Sequence, residues 1–390
     1  MRIRRPFTIA AILLASLPSA RRPGAQQPAL AGLARADSMV AAEFARDSVA
    51  SLTVGVVTPL GLVWTRSYGF ANMTTRRLAN RQSVYRIGSI TKMFTALMLH
   101  QLVEAGKIRL SDPVERYYPE IREIRGYGQL KAPITVQQLA TMTSGIAREP
   151  EQEGPFWTGP VATWDSTLHL ALPHTHMQLA PGTQFLYSNI GYAILGATLG
   201  RAAGVPYVRW QKEHVLDPLG LRHTTFEIDA SIAPDLATGY DVSNGRGPDA
   251  SQAAREAITG RGYKVPNGAI FTTIDDLSRF LVLQLGHGPE GVVPRARLDS
   301  AYNGTVNAAG QPIVSYGIGF TVEQSNTLTW FGHGGGVAGY TSMMAFDGKR
   351  ELGVIVLRNA AGGEVRPGRL AVDLLGYLVA ANAAGVYPRK

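Results

Sequence analysis

"YRIGSITKMFTALMLHQLVEAGKI", residues 85–108, begins among polar residues and runs directly into an apolar helical pattern. Apolar residues recur three and four apart from Met93 to Val103, so the spacing predicts a helix over 91–105. Ser89 and Lys92 stand three residues apart at its mouth. Residues so spaced share a helical face, which brings a hydroxyl and an amine within hydrogen-bonding reach. A serine hydroxyl becomes a nucleophile when a neighbouring base takes its proton, and a buried lysine can lose its charge and act as that base. A helix N-terminus adds unsatisfied N–H groups and partial positive charge, which favour an oxyanion beside Ser89. The pair alone is a weak signal, since a serine three before a lysine arises by chance on the order of once per chain. A cap and a surface lysine would explain it equally well.

Upstream of this helix, "PALAGLARADSMVAAEFARDSVAS" has the spacing of one amphipathic helix. "LTVGVVTPLGLVWTRSYGFA" reads as a hairpin turning at Thr58-Pro59-Leu60-Gly61. Downstream the same grammar returns. "YGIGFTVEQ", "TLTWFGH" and "YTSMMAFDGKRELGVIVLRN", with its Asp347-Gly348 turn, read as strands before a closing helix, "LAVDLLGYLVAANAA". Between them lie helical segments at 91–105, 135–142, 190–203 and 207–216. The expected fold class is therefore α/β (α+β), an antiparallel sheet flanked by N- and C-terminal helices with an inserted, mainly helical lobe. The expected boundaries are a signal peptide at 1–25, the α/β lobe in two parts at 26–85 and 262–390, and the helical lobe at 86–261.

The chain's 390 residues, 45% hydrophobic and 17% charged, suit a globular protein and argue against disordered and fibrous classes. Residues 1–28, "MRIRRPFTIAAILLASLPSARRPGAQQP", combine a basic start, an apolar run from Phe7 to Leu17 and small residues near Ala20 and Ala25, the pattern of a cleaved export signal. The run is too short for a membrane span. Arg4 and Arg5 before Phe7 also resemble a twin-arginine signal, so the export route stays open. The expected location is periplasmic or secreted. Removing five arginines with the signal takes the formal charge from +9 to +4, and no basic run of five follows, so no nucleic-acid partner is expected. With no cysteine, disulfides, thiol nucleophiles and thiolate metal sites are excluded. His174 and His176, two apart and without an acidic cluster or HExxH, read as loop residues near a site rim rather than metal ligands. No metal, cofactor or membrane partner beyond the export signal is expected, and the protein is expected to be a monomer.

Two further motifs accompany Ser89 and Lys92. "PGTQFLYSNIGYAILG" carries Tyr187, Ser188 and Asn189 between a Pro-Gly turn and an apolar helix, and "FGHGGGVAGY" carries His333, Gly334, Gly335 and Gly336 near a strand end. Taken singly, a rim tyrosine, a helix cap and a glycine turn would explain them. Taken in order, the chain resembles the serine β-lactamase and penicillin-recognising family, in its branch of class C β-lactamases, DD-peptidases and esterases. SxxK stands at Ser89–Lys92, YxN at Tyr187–Asn189, and HxG replaces KTG at His333–Gly335. The likeness extends over about 45–385, through "ITVQQLATMTSG", "VLDPLGL" and "NGAIFTTIDDLSRFL".

The resemblance implies a β-lactamase/transpeptidase-like fold, an acyl-enzyme on Ser89, Lys92 as its proton partner and Tyr187 as a proton shuttle whose phenolate cationic neighbours favour. It further implies that Asn189 donates to a substrate carbonyl and helps to hold Lys92. The oxyanion hole would come from the N–H groups of Ser89 and Gly336, with Gly334 and Gly335 keeping the strand open. A histidine at 333 is largely neutral at pH 7 and grips a substrate carboxylate weakly, which leans away from a dedicated β-lactamase. No glutamate poised for hydrolytic water stands out in "AREPEQEGPFWTG", where Glu149, Glu151 and Glu153 read as an exposed loop. Met142 reads as a packing difference. Substrate choice is expected in the long stretches 147–180, with Phe156, Trp157 and Trp164, and 240–265.

The expected function is hydrolysis of small esters or D-amino-acid peptides, with β-lactams as a side activity. Its competitors are a dedicated β-lactamase and a non-catalytic sensor of cell-wall peptides or β-lactams. An α/β-hydrolase, suggested by "HGGG" at 333–336, fails for want of any GxSxG.

Overall fold

The predicted hairpin forms β1 (Ser51–Thr58) and β2 (Gly61–Asn72) in a computed structural model of the chain, which describes residues 30–243, 247–301, 314–324, 328–349 and 351–382. The expected export signal at 1–25 lies outside the described residues. β3 (Arg77–Leu78) follows, and the carboxy-terminal third supplies β4 (Val314–Tyr316), β5 (Thr321–Gln324), β6 (Thr329–Val337), β7 (Tyr340–Asp347) and β8 (Gly353–Arg358). They form one antiparallel sheet in the order β3-β2-β1-β8-β7-β6-β5-β4. The run from Tyr316 to Gln324 is not one strand. It turns between β4 and β5, where Gly319 has φ +92° and Gly317 N–H donates to Phe320 O at 2.9 Å.

β1 and β8 come from opposite ends of the chain and pair at the sheet centre, with Val54 opposite Val356 and Val56 opposite Val354. Every residue of both strands is buried, because helices cover both faces. On one face, Leu52, Val54, Val56, Val354 and Val356 share a core with α1 (Leu33–Phe44) and α6 (Pro367–Ala381). On the other, Val57, Ile355 and Leu357 meet Ile274, Leu277 and Leu281 of α5 (Ile274–Gln284). α5 lies so close that a Cβ on Gly55 would fall 3.1 Å from Ile274 Cγ1, so glycine in the centre of a strand is what admits the helix. The two chain ends are also tied by Arg358 and Asp47, whose ion pair spans 2.8 Å.

The residues between these parts are mainly helical and include α2 (Thr91–Glu104), α3 (Asn189–Ala203) and α4 (Ser251–Thr259). Thr135 and Gln138 close a capping box on the short helix Val136–Ala140, and Gly204 at φ +70° ends α3. α2 is buried on all sides from Thr91 to His100, and its Phe94 stacks on Phe280 of α5 at 3.8 Å. One continuous core links α2 and α3 to the inner face of the sheet. Among the described residues no helix is long and apolar enough to cross a membrane.

Candidate active site

Ser89 sits on a single 3-10 turn, Gly88–Ile90, that leads straight into α2. Lys92 follows on the first turn of α2, fully buried, with its Nζ 3.2 Å from Ser89 Oγ. Two further acceptors surround that nitrogen, Asn189 Oδ1 at 2.7 Å and the Asn267 carbonyl at 3.0 Å. A neutral amine has two N–H groups and one lone pair. The two acceptors take the N–H groups, and the lone pair is left for the Ser89 hydroxyl. Burial drives the Lys92 pKa well below the ordinary lysine value; Glu149 pulls it back up, while Arg148, Arg261 and Lys264 push it further down. The arrangement therefore suits a neutral lysine acting as a base toward Ser89.

Tyr187 and Asn189 arrive together at the start of α3, where the Ser188 hydroxyl caps the helix by accepting from Gly191 N at 2.9 Å. The Tyr187 hydroxyl hydrogen-bonds with Ser89, and burial raises its pKa to about 12 even though the Arg148 charge lowers it. Arg148 favours the phenolate, but burial outweighs it and the group stays a neutral phenol. A neutral phenol is a proton donor, not a base. Arg148 Cζ and Lys92 Nζ lie 4.7 and 4.9 Å from the centroid of the Tyr187 ring. The Asn189 Nδ2, expected to face a substrate carbonyl, donates to Glu149 Oε1 at 2.6 Å.

β6 delivers His333, Gly334, Gly335 and Gly336. β5 pairs with β6 only as far as Gly332, so among the described residues one edge of β6 has no partner strand from His333 onward, and it faces the Ser89 turn. The approach is close on both sides. A Cβ on Gly335 would fall 1.9 Å from Ile87 O, and one on Gly88, at φ +51°, would fall 2.7 Å from Gly336 N. Glycine at both places brings the Gly336 amide beside the nucleophile. Gly336 itself has open space around it, and a Cβ on Gly334 would make only ordinary contact with Met343 Sδ at 3.7 Å. His333 is buried and its pKa falls to about 3, chiefly through desolvation. Its Nδ1 faces the Gly334 carbonyl and so carries the proton, which makes Nε2 the acceptor for the Tyr316 hydroxyl at 3.1 Å.

Several residues of this site carry no motif. Glu149, expected on an exposed loop, is half-buried, with Oε1 bound to Asn189 and Oε2 accepting from Tyr263. A carboxylate's tertiary partners leave no local trace, which is why "AREPEQEG" reads as loop. Glu151 does lie on the surface, paired with Arg125 and His176. Asn267 holds Lys92 through its carbonyl and Asn189 O through its Nδ2 at 2.9 Å. Met142 does more than pack: at φ +58° it presents Sδ as acceptor to Ser188 N–H, one residue after Tyr187. In the loop at 147–180, Phe156 and Trp164 are buried, while Trp157 stands against Lys264 Nζ at 3.5 Å from its ring centroid. His174 lies 5.2 Å from the Phe156 ring. The stretch 240–265 is anchored through α4, whose Glu256 pairs with Arg86 at 2.9 Å and Arg261 at 2.7 Å.

The Beta-lactamase family model matches residues 36–377 of the chain. Over 364 residues the chain is 28% identical to "Beta-lactamase-like protein 4" of Dictyostelium discoideum, covering 87% of this chain and 62% of that protein. Over 218 residues it is 31% identical to the D-alanyl-D-alanine-carboxypeptidase/endopeptidase AmpH of Escherichia coli K12, covering 55% and 52% respectively. The chain thus spans less than two thirds of the length of these relatives. Among solved structures, the octameric penicillin-binding protein homologue from Pyrococcus abyssi superposes with a TM-score of 0.74 over 90% of this chain and 78% of that one, at 24% identity, a likeness of fold.

Proposed function

The chain belongs to the beta-lactamase family, and from that premise we propose that it is a serine hydrolase working through an acyl-enzyme on Ser89. The observation that carries this reading is the buried Lys92 amine, 3.2 Å from Ser89 Oγ with its other partners already engaged. Lys92 takes the Ser89 proton as Oγ attacks the substrate carbonyl. The oxyanion that forms is received by the N–H groups of Ser89 and Gly336. Tyr187 donates its hydroxyl proton to the departing group and is reprotonated from Lys92. Water then attacks the ester on Ser89, the same groups acting in reverse.

The substrates in this reading are small esters or D-amino-acid peptides. The neutral, buried His333 supports the choice, because it offers no charge to a β-lactam carboxylate. The name of the AmpH relative points the same way. The basic, apolar start of the chain supports action outside the cytoplasm, periplasmic or secreted, on a small-molecule or short-peptide substrate.

The test is turnover of a short-chain nitrophenyl ester by the purified protein and its Ser89→Ala variant. Sustained release that disappears in the variant is expected. Equal rates in the two proteins would remove Ser89 from the reaction, and a single burst with no turnover would move the protein to the class of sensors.

A further inference from the structure

Glu149 is the negative charge that most strongly opposes the effect of burial on Lys92. Its two oxygens are held differently. Oε1 accepts from Asn189 Nδ2 at 2.6 Å, and Oε2 accepts from the Tyr263 hydroxyl. A carboxylate can only accept, so the Asn189 amide cannot turn over while Glu149 is ionised. Turned over, Asn189 would present N–H to the N–H groups of Lys92 across 2.7 Å. Glu149 has no ion pair among the described residues, which leaves its charge free to act on the groups around it.

We propose that Glu149 is a positioning residue for the reaction: it locks the Asn189 amide with its oxygen toward Lys92 and keeps the proton affinity of that base high enough to accept the Ser89 proton. This rests on the reading of Ser89 and Lys92 as nucleophile and base. The charged and titratable groups facing Lys92 are Glu149 and Arg148 from one loop, Arg261 and Lys264 from another, Tyr187 and Tyr192 at α3, and His333 on β6. Of these Glu149 is the one anion. The lock also ties the base to the long loop at 147–180, because the Tyr263 ring that holds Glu149 sits 6.2 Å from Trp157 and 6.4 Å from Phe156.

The direct reading is the titration of Lys92 itself. The chain has seven lysines, so 13Cε-lysine labelling gives a spectrum in which Lys92 is assigned by its loss in Lys92→Arg. In Glu149→Gln the midpoint of Lys92 is expected to fall by about one pH unit or more, the effect of losing an opposite charge at short range. Glu149→Asp retains most of the wild-type value. Tyr263→Phe moves the midpoint up, since it unshares the carboxylate's charge. An unmoved midpoint in folded Glu149→Gln overturns the proposal; should that variant fail to fold, an unmoved or lowered midpoint in Tyr263→Phe does so. The acid limb of kcat/KM on the nitrophenyl ester follows the Lys92 midpoint. If the midpoint moves in a protein with no Ser89-dependent turnover, the coupling of Glu149 to Lys92 stands and the hydrolase reading falls.

Discussion

The carbonyl oxygen of Ile87 occupies the space where Gly335 would carry a side chain, 1.9 Å from the position of an added Cβ, with Ser342 Oγ at 2.4 Å from the same point. The segment bearing the nucleophile and the glycine edge of β6 are therefore in backbone contact.

Gly335→Ala is expected to force these two segments apart. Overpacking of this kind costs about 1–3 kcal/mol of stability. The larger loss falls on activity, by about two orders of magnitude or more, because the Gly336 amide moves away from the oxyanion. Gly334→Ala, whose Cβ makes ordinary contact with Met343 Sδ at 3.7 Å and Ser342 O at 3.9 Å, keeps its stability within about 0.5 kcal/mol. Thermal unfolding and ester turnover of the two variants check the pair.

Tyr187→Phe removes a neutral phenol whose pKa stands at about 12. Its consequence depends on the leaving group. An alkyl ester or an amide needs a proton as it departs and is slowed by about 10²–10⁴-fold; a nitrophenolate needs none and is slowed far less. Equal losses on both substrates would deny Tyr187 the role of acid. In neither case does the variant change the shape of the pH profile below pH 9, since Tyr187 does not titrate there.

The hairpins and the helix that carries Lys92 are legible in the sequence. The period-two runs around Thr58–Gly61 and Asp347-Gly348 mark β1–β2 and β7–β8, and the helical spacing from Met93 marks α2, because each is a local pattern. What sequence could not supply is the pairing of β1 with β8, formed by residues some 300 apart, as in Val54 with Val356. The site divides in the same way. Ser89 and Lys92 are three residues apart and lie on one turn. Asn267, on the short helical turn Val265–Gly268, and Glu149, in a loop, meet Lys92 and Asn189 from distant parts of the chain, through a backbone carbonyl in one case and a side chain with no motif in the other. Neither spacing nor residue type distinguishes them from ordinary loop residues.

His333→Lys places an ammonium in a buried position beside Lys92, where a Nε2 acceptor for Tyr316 has been lost. An uncompensated buried charge costs about 3–5 kcal/mol. Chemical denaturation is expected to show this loss, with part of it recovered as the pH rises and the new lysine sheds its proton.

Lys264 gives the stability of the wild-type protein a pH dependence. Burial lowers its pKa to about 8, whereas in the unfolded chain it stays charged up to the ordinary lysine value of 10.5. Between these limits the unfolded state binds more protons, so stability rises with pH, by up to about 1.4 kcal/mol per unit for one group. Below pH 8 both states are charged and the slope from this residue vanishes. In Lys264→Met the rise between pH 8 and 10 is reduced, which denaturant titrations at a series of pH values will reveal; a slope unchanged from wild type would show that Lys264 is not the source.

α2 is buried on every side from its first residue, and Ser89 and Lys92 stand at its beginning. Most helices fray from their ends, and their terminal amides exchange with solvent long before the protein unfolds. From Thr91 to His100 the helix has no exposed face and no such partial opening is available. The amides of residues 91–100 should exchange only through global unfolding, and heating should extinguish activity and melt the core in a single transition.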